Sequence, residues 1–106
     1  MALNHVKGGH KVRLEPVASP LTRTMALVKT DRFEAVQLVL RAGTTVQPHA
    51  VDGFATIYCI EGAVTLDGPR KLALATGDWM YLDRGEEHGL TASEDTSLLL
   101  TVLFDG

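Results

Sequence analysis

Two stretches, Gly43-Thr44-Thr45-Val46-Gln47-Pro48-His49 with its continuation to Gly62, and Gly77-Asp78-Trp79-Met80-Tyr81-Leu82-Asp83-Arg84-Gly85-Glu86-Glu87-His88, decide how this chain is read. Each opens on a glycine and delivers one histidine near the end of a strand-like run. Around them the sequence consists of short alternating segments, with no sustained stripe at helical spacing. Strands are expected at 11–17, 24–29, 33–41, 55–60, 64–67, 70–75, 78–82, 87–92 and 96–104. Their β-branched and aromatic residues suit a pleated, half-buried surface. Between them stand Ala42-Gly43, Asp52-Gly53, Glu61-Gly62, Asp67-Gly68-Pro69, Thr76-Gly77 and Arg84-Gly85, where glycine supplies turn dihedrals closed to other residues. Many short strands at this spacing make the expected class all-β, a sandwich or small barrel.

A chain of 106 residues has room for one core, so a single domain over 1–106 is expected. With 45% hydrophobic and 22% charged residues it lies outside the composition range of disorder. In the 33–41 segment Val36, Leu38 and Leu40 share one face while Ala35, Gln37 and Val39 share the other, and both faces are mostly apolar. The run from Leu98 to Phe104 is similarly two-sided. Such strands are buried between two sheets or covered by a partner subunit, and a homodimer is the expected assembly. Residues 1–32 are expected to form N-terminal strands packed on the barrel or on that partner.

Charge and motifs exclude several functions. The net charge is −3, and it is unevenly spread: Lys7, Lys11, Arg13, Arg23, Lys29 and Arg32 against Glu15 and Asp31 make the first 32 residues net +4. This reads as a basic segment lying on a more acidic body, and no nucleic-acid partner is expected. No apolar run approaches membrane-spanning length, and the first ten residues lack the apolar core of a signal peptide, so no membrane partner and a cytoplasmic location are expected. Cys59 is the single cysteine, which forbids an intramolecular disulfide and fits a reducing compartment. Phosphate loops, dinucleotide glycine fingerprints, zinc-protease helices and serine nucleophile elbows are missing.

The two quoted stretches resemble the paired motifs of the cupin superfamily, and the likeness spans about residues 36–104. Gly43, His49 and Gly62 fall in register with the first motif, and Gly77, Gly85 and His88 with the second. The resemblance implies a double-stranded β-helix, the cupin or jelly-roll barrel. It also implies a divalent transition metal held by three histidines and a glutamate. Here Val51 occupies the second histidine position, Ala55 the glutamate position, Asp83 the motif proline and Ala92 the final asparagine. Only His49 and His88 remain as metal ligands, an incomplete set, so a weakly bound or lost metal is expected.

Strand parity places Gln47, His49 and Val51 on one face and Ala55, Ile57 and Cys59 on another, and with His88 these are the expected pocket residues. The pocket is smaller and more apolar than that of a metal-binding relative, which favours a small-molecule ligand with an apolar part and one polar handle. Cys59 reads as a small buried hydrophobe. His5 and His10 read as solvent-facing, and Tyr58, Trp79, Met80 and Tyr81 as core packing. The function expected is small-molecule binding or sensing. The alternative is an enzyme: a metal-dependent oxygenase or isomerase with a two-histidine site, or a metal-free isomerase, epimerase or lyase. The metal-free enzyme would use His49 or His88 as general base, with Asp52, Tyr58 or Tyr81 assisting.

Overall fold

The alternation along 53–61 shows why this sequence folds into facing sheets. Gly53, Ala55, Ile57 and Cys59 are buried, while Phe54, Thr56 and Tyr58 between them are not. In a strand such a pattern places one row of side chains against a second layer. A computed structural model describes residues 5–50 and 52–104, with the side chain of His49 outside the description. The described residues form nine strands: β1 (Met25–Lys29), β2 (Phe33–Leu40), β3 (Thr45–His49), β4 (Gly53–Glu61), β5 (Ala63–Asp67), β6 (Leu72–Ala75), β7 (Trp79–Leu82), β8 (His88–Ala92) and β9 (Thr96–Phe104). They form a five-stranded sheet in the order β1-β2-β9-β4-β7 and a four-stranded sheet in the order β3-β8-β5-β6. Every pairing is antiparallel. The described residues contain no helix, and so none long and apolar enough to cross a membrane.

The core lies between the two sheets. Ala55, Ile57 and Cys59 of β4 and Leu98 and Val102 of β9 meet Val64 and Leu66 of β5 and Leu90 and Ala92 of β8. All-β architecture, expected from the turns and alternation, is what the chain adopts. Most strands lie within a residue or two of their expected bounds. Two differences have clear physical causes.

Residues 11–17 form no strand, which corrects the first expected one. Pro16 and Pro20 lack the N–H a ladder needs, and the backbone between residues 15 and 22 is held through side chains instead. Val17 N–H donates to Glu61 Oε2 at 2.8 Å, and Arg41 donates to the carbonyls of Val17, Ser19 and Thr22 at 2.6, 3.2 and 3.0 Å. The segment thereby becomes a strap across the outer face of the five-stranded sheet. Beneath it Gln37 and Ser97 are buried and joined by a 3.0 Å hydrogen bond. The chain's own N-terminal strap thus covers part of the second apolar face of β2 and β9.

Strand β3 is the other difference, since Thr45–His49 was not among the expected strands. Pro48 argues against a strand on sequence, but β3 is the outermost strand of its sheet, where a missing donor is tolerated. It also contains a bulge: Val46 pairs with Leu90 and His49 with His88, so three steps on β3 match two on β8.

The turn from β4 to β5 is sterically closed. Gly62 has φ +104°, and a Cβ there would collide with the Asp95 carbonyl oxygen and lie 2.6 Å from Thr96 Oγ1. Gly62→Ala is expected to cost about 3 kcal/mol, measured as a shift in urea unfolding midpoint with an unchanged slope.

Candidate functional site

His88 is the pivot of the site. It opens β8 with its backbone paired to His49 across the β3 edge, and it is 6% exposed. Its Nδ1 lies 3.2 Å from the Glu86 carbonyl oxygen. A carbonyl can only accept, so Nδ1 is the donor in this contact. The imidazole is oriented by its own loop two residues upstream.

The ring forms part of the wall of two hollows. The inner one, about 160 Å³, lies between the sheets and is walled by Leu38, Val46, Ala55, Ile57, Leu90 and Leu98, with Leu100 closing it. Apart from His88 these side chains are pure hydrocarbon. The outer one, about 430 Å³, opens between β6 and β7. Leu66, Leu72, Met80 and Leu82 form its apolar side, and Arg70, Lys71, Glu86 and Glu87 its charged rim.

The expected pocket residues are distributed as follows. Ala55, Ile57 and His88 line the inner hollow together. Cys59 is fully buried on the same face of β4 but is not part of the wall. Gln47 is exposed and Val46 lines the hollow instead, because the β3 bulge breaks the parity that pairs Gln47 with His49. Val51 and the His49 side chain lie outside the described residues, so their expected place in the pocket carries no structural account. Tyr58 and Trp79 are 40% and 61% exposed on the outer sheet face, not packed in the core, whereas Met80 does pack against it. Tyr58 therefore points away from the hollow that Ala55 and Ile57 line, on the opposite face of β4. Tyr81 is half-exposed beside the outer hollow, stacked on Phe54 with ring centroids 6.1 Å apart. Its hydroxyl donates to Asp83 Oδ1 at 3.2 Å. Partial desolvation, then Asp83 and Glu86, push its phenol above the usual range, so it remains a donor. Asp52, His5 and His10 are exposed. The walls Val46, Leu38, Leu90 and Leu98 were missed, and only the inward rows of the strands beside the motifs signalled them.

A metal fits this site poorly. Among the described residues no three His, Cys, Asp or Glu side chains gather to hold an ion. On the inner side of His88 the described walls offer hydrocarbon, Ala55 among them, and no carboxylate.

With this geometry the molecule is a double-stranded β-helix with a histidine at its mouth. Solved structures share that architecture. A conserved protein of unknown function from Streptococcus pyogenes matches with a TM-score of 0.80 at 17% identity, covering 100% of this chain and 99% of its own. A cupin superfamily protein from Desulfitobacterium hafniense matches with a TM-score of 0.80 at 16% identity, covering 99% and 100%. A polyketide cyclase from Streptomyces resistomycificus matches with a TM-score of 0.68 at 22% identity over 77% of this chain and 64% of its own. No protein-family model and no curated protein sequence matches the chain. The chain has the cupin fold.

Two outcomes are expected at this site. Burial, with added repulsion from Asp78 and Glu94, pushes the Cys59 thiol above its usual range. Cys59 should therefore resist a thiol reagent at pH 8 in native protein and react promptly in urea; rapid native labelling would contradict its placement. Val51→His combined with Ala55→Glu should raise zinc affinity above the parent's in competition with a chromophoric chelator. An unchanged titration would mean that position 55 does not face His88.

Proposed function

We propose that this protein binds a small organic molecule, with an apolar body about the size of one ring in the inner hollow and one polar atom at His88. The observation that supports it is a cavity of about 160 Å³ whose lining, among the described residues, is hydrocarbon apart from one oriented imidazole. An apolar protein cavity of about 150 Å³ accommodates benzene. Leaving such a volume empty forgoes roughly 4 kcal/mol of packing, at about 24 cal/mol per Å³. That is a large share of the roughly 5–15 kcal/mol by which domains are stable. Room is kept here by Ala55, a methyl group at a position fully enclosed between Val102 and Leu82. A ligand that fills the hollow recovers the missing contacts.

Binding is favoured over catalysis because His88 is the one titratable side chain among the described residues lining the inner hollow. Proton transfer at carbon needs a base and a second group to hold or return the proton. The fold does not choose between the two, since its solved neighbours include a protein of unknown function and a polyketide cyclase.

The test uses p-cresol and toluene as matched probes with and without a hydroxyl. p-Cresol at a hundredfold excess over its Kd should stabilise the protein by about 2.7 kcal/mol, read as a rise in Tm. Ala55→Leu should fill the hollow, stabilise the free protein by about 1 kcal/mol and abolish the response. His88→Leu should remove the preference for p-cresol over toluene. An undiminished response in Ala55→Leu would overturn the reading.

A further inference from the structure

The outer hollow lies where the two sheets do not join. Strand β7 is the last strand of the five-stranded sheet and β6 the last of the four-stranded one. Between them the cavity of about 430 Å³ is apolar along Leu66, Leu72 and Met80 and reaches His88, the same residue that lines the inner hollow. Its volume lies within the range of roughly 300–1,000 Å³ that small-molecule sites occupy.

The charges on its rim are sorted by loop. Arg70 and Lys71 come from the turn between β5 and β6, and Glu86 and Glu87 from the loop between β7 and β8. One member of each pair is already engaged: Lys71 Nζ is 4.0 Å from Asp67 Oδ1, and Glu86 Oε1 accepts from the Asp83 N–H at 3.2 Å. Among the described residues the side chains of Arg70 and Glu87 have no hydrogen bond or ion pair, with each other or with any other group. Yet the two loops touch, since a Cβ on Gly68 would stand 2.8 Å from the Glu87 carbonyl oxygen. One guanidinium and one carboxylate therefore flank a common cleft without pairing.

We propose that the outer hollow is the polar half of the ligand site and that the ligand is a zwitterion, an α-amino acid with an apolar side chain. This rests on the reading of the inner hollow. The carboxylate meets the Arg70 fork, which is shaped for bidentate contact with it. The ammonium meets Glu87, and the side chain passes His88 into the hydrocarbon cavity, which has room for a benzyl or isobutyl group. The rim carries two positive and two negative side chains, so a ligand of zero net charge with separated poles complements it. A simple anion faces Glu86 and Glu87, and a simple cation faces Arg70 and Lys71.

The test is calorimetric titration of the full chain with L-phenylalanine, 3-phenylpropionate, 2-phenylethylamine and p-cresol, each also against Arg70→Ala and Glu87→Gln. L-Phenylalanine should bind about tenfold more tightly than the acid or the amine, as expected for one charge-assisted contact. Arg70→Ala should bring it to the level of the amine, and Glu87→Gln to that of the acid. Both variants should bind p-cresol as the parent does. If p-cresol binds but L-phenylalanine gains nothing over the singly charged compounds, the zwitterion proposal fails and the inner-hollow reading stands. If none of the four binds, both fail.

Discussion

Everything in this molecule depends on the antiparallel ladder between β4 and β9. Its register pairs Ala55 with Val102, Ile57 with Leu100 and Cys59 with Leu98. All of these face the second sheet. A shift of one residue would turn Phe54, Thr56 and Tyr58 inward and expose the core row, so the register is held by the hydrophobic contrast between the two faces. Pairing then spreads sideways, with Leu38 of β2 beside Leu98 and Met80 and Leu82 of β7 beside Ile57 and Ala55. One ladder thus fixes which side chains wall the cavity.

Across from that wall stands β8, buried along most of its length. Among the described residues its first residue, His88, is the only one of the inner lining with a polar head. The cavity beside the histidine depends on one small side chain: the methyl of Ala55 offers His88 no hydrogen bond and leaves volume between the sheets. A buried imidazole needs a hydrogen bond to remain stable, and the Glu86 carbonyl provides one. The strap of residues before β1, tied by Arg41 and Glu61, closes the opposite side of the five-stranded sheet and leaves the mouth at His88 open.

Much of the fold was legible because strand alternation and glycine turns act locally. The inward row of β4 could be read directly from residues 55, 57 and 59. The parity of β3 could not, because the bulge at Pro48 depends on how an edge strand meets β8, and no periodicity records it. The strap reads as a strand in sequence for a similar reason: its residues alternate, but its two prolines and the reach of Arg41 and Glu61 decide its hydrogen bonds from 24 and 44 residues away. Tyr58, Trp79 and Tyr81 read as core by their size, whereas their strand positions set them on the exposed face. Tyr58 lies between Ile57 and Cys59, and its exposure follows from their burial. In the site, the motif spacing brought His88 to the mouth of the barrel, whereas the charged rim sits in turn residues that read as ordinary surface.

The central claim is that an apolar molecule enters between the sheets beside His88. Methyl-resolved NMR of the full chain with p-cresol tests it most directly. The account predicts shifts confined to the methyl groups of Leu38, Val46, Ala55, Ile57, Leu90, Leu98 and Leu100, with a change at the His88 ring. Shifts confined to Leu21, Leu72 and Leu103 on the surface, with those interior methyls unmoved, would contradict it.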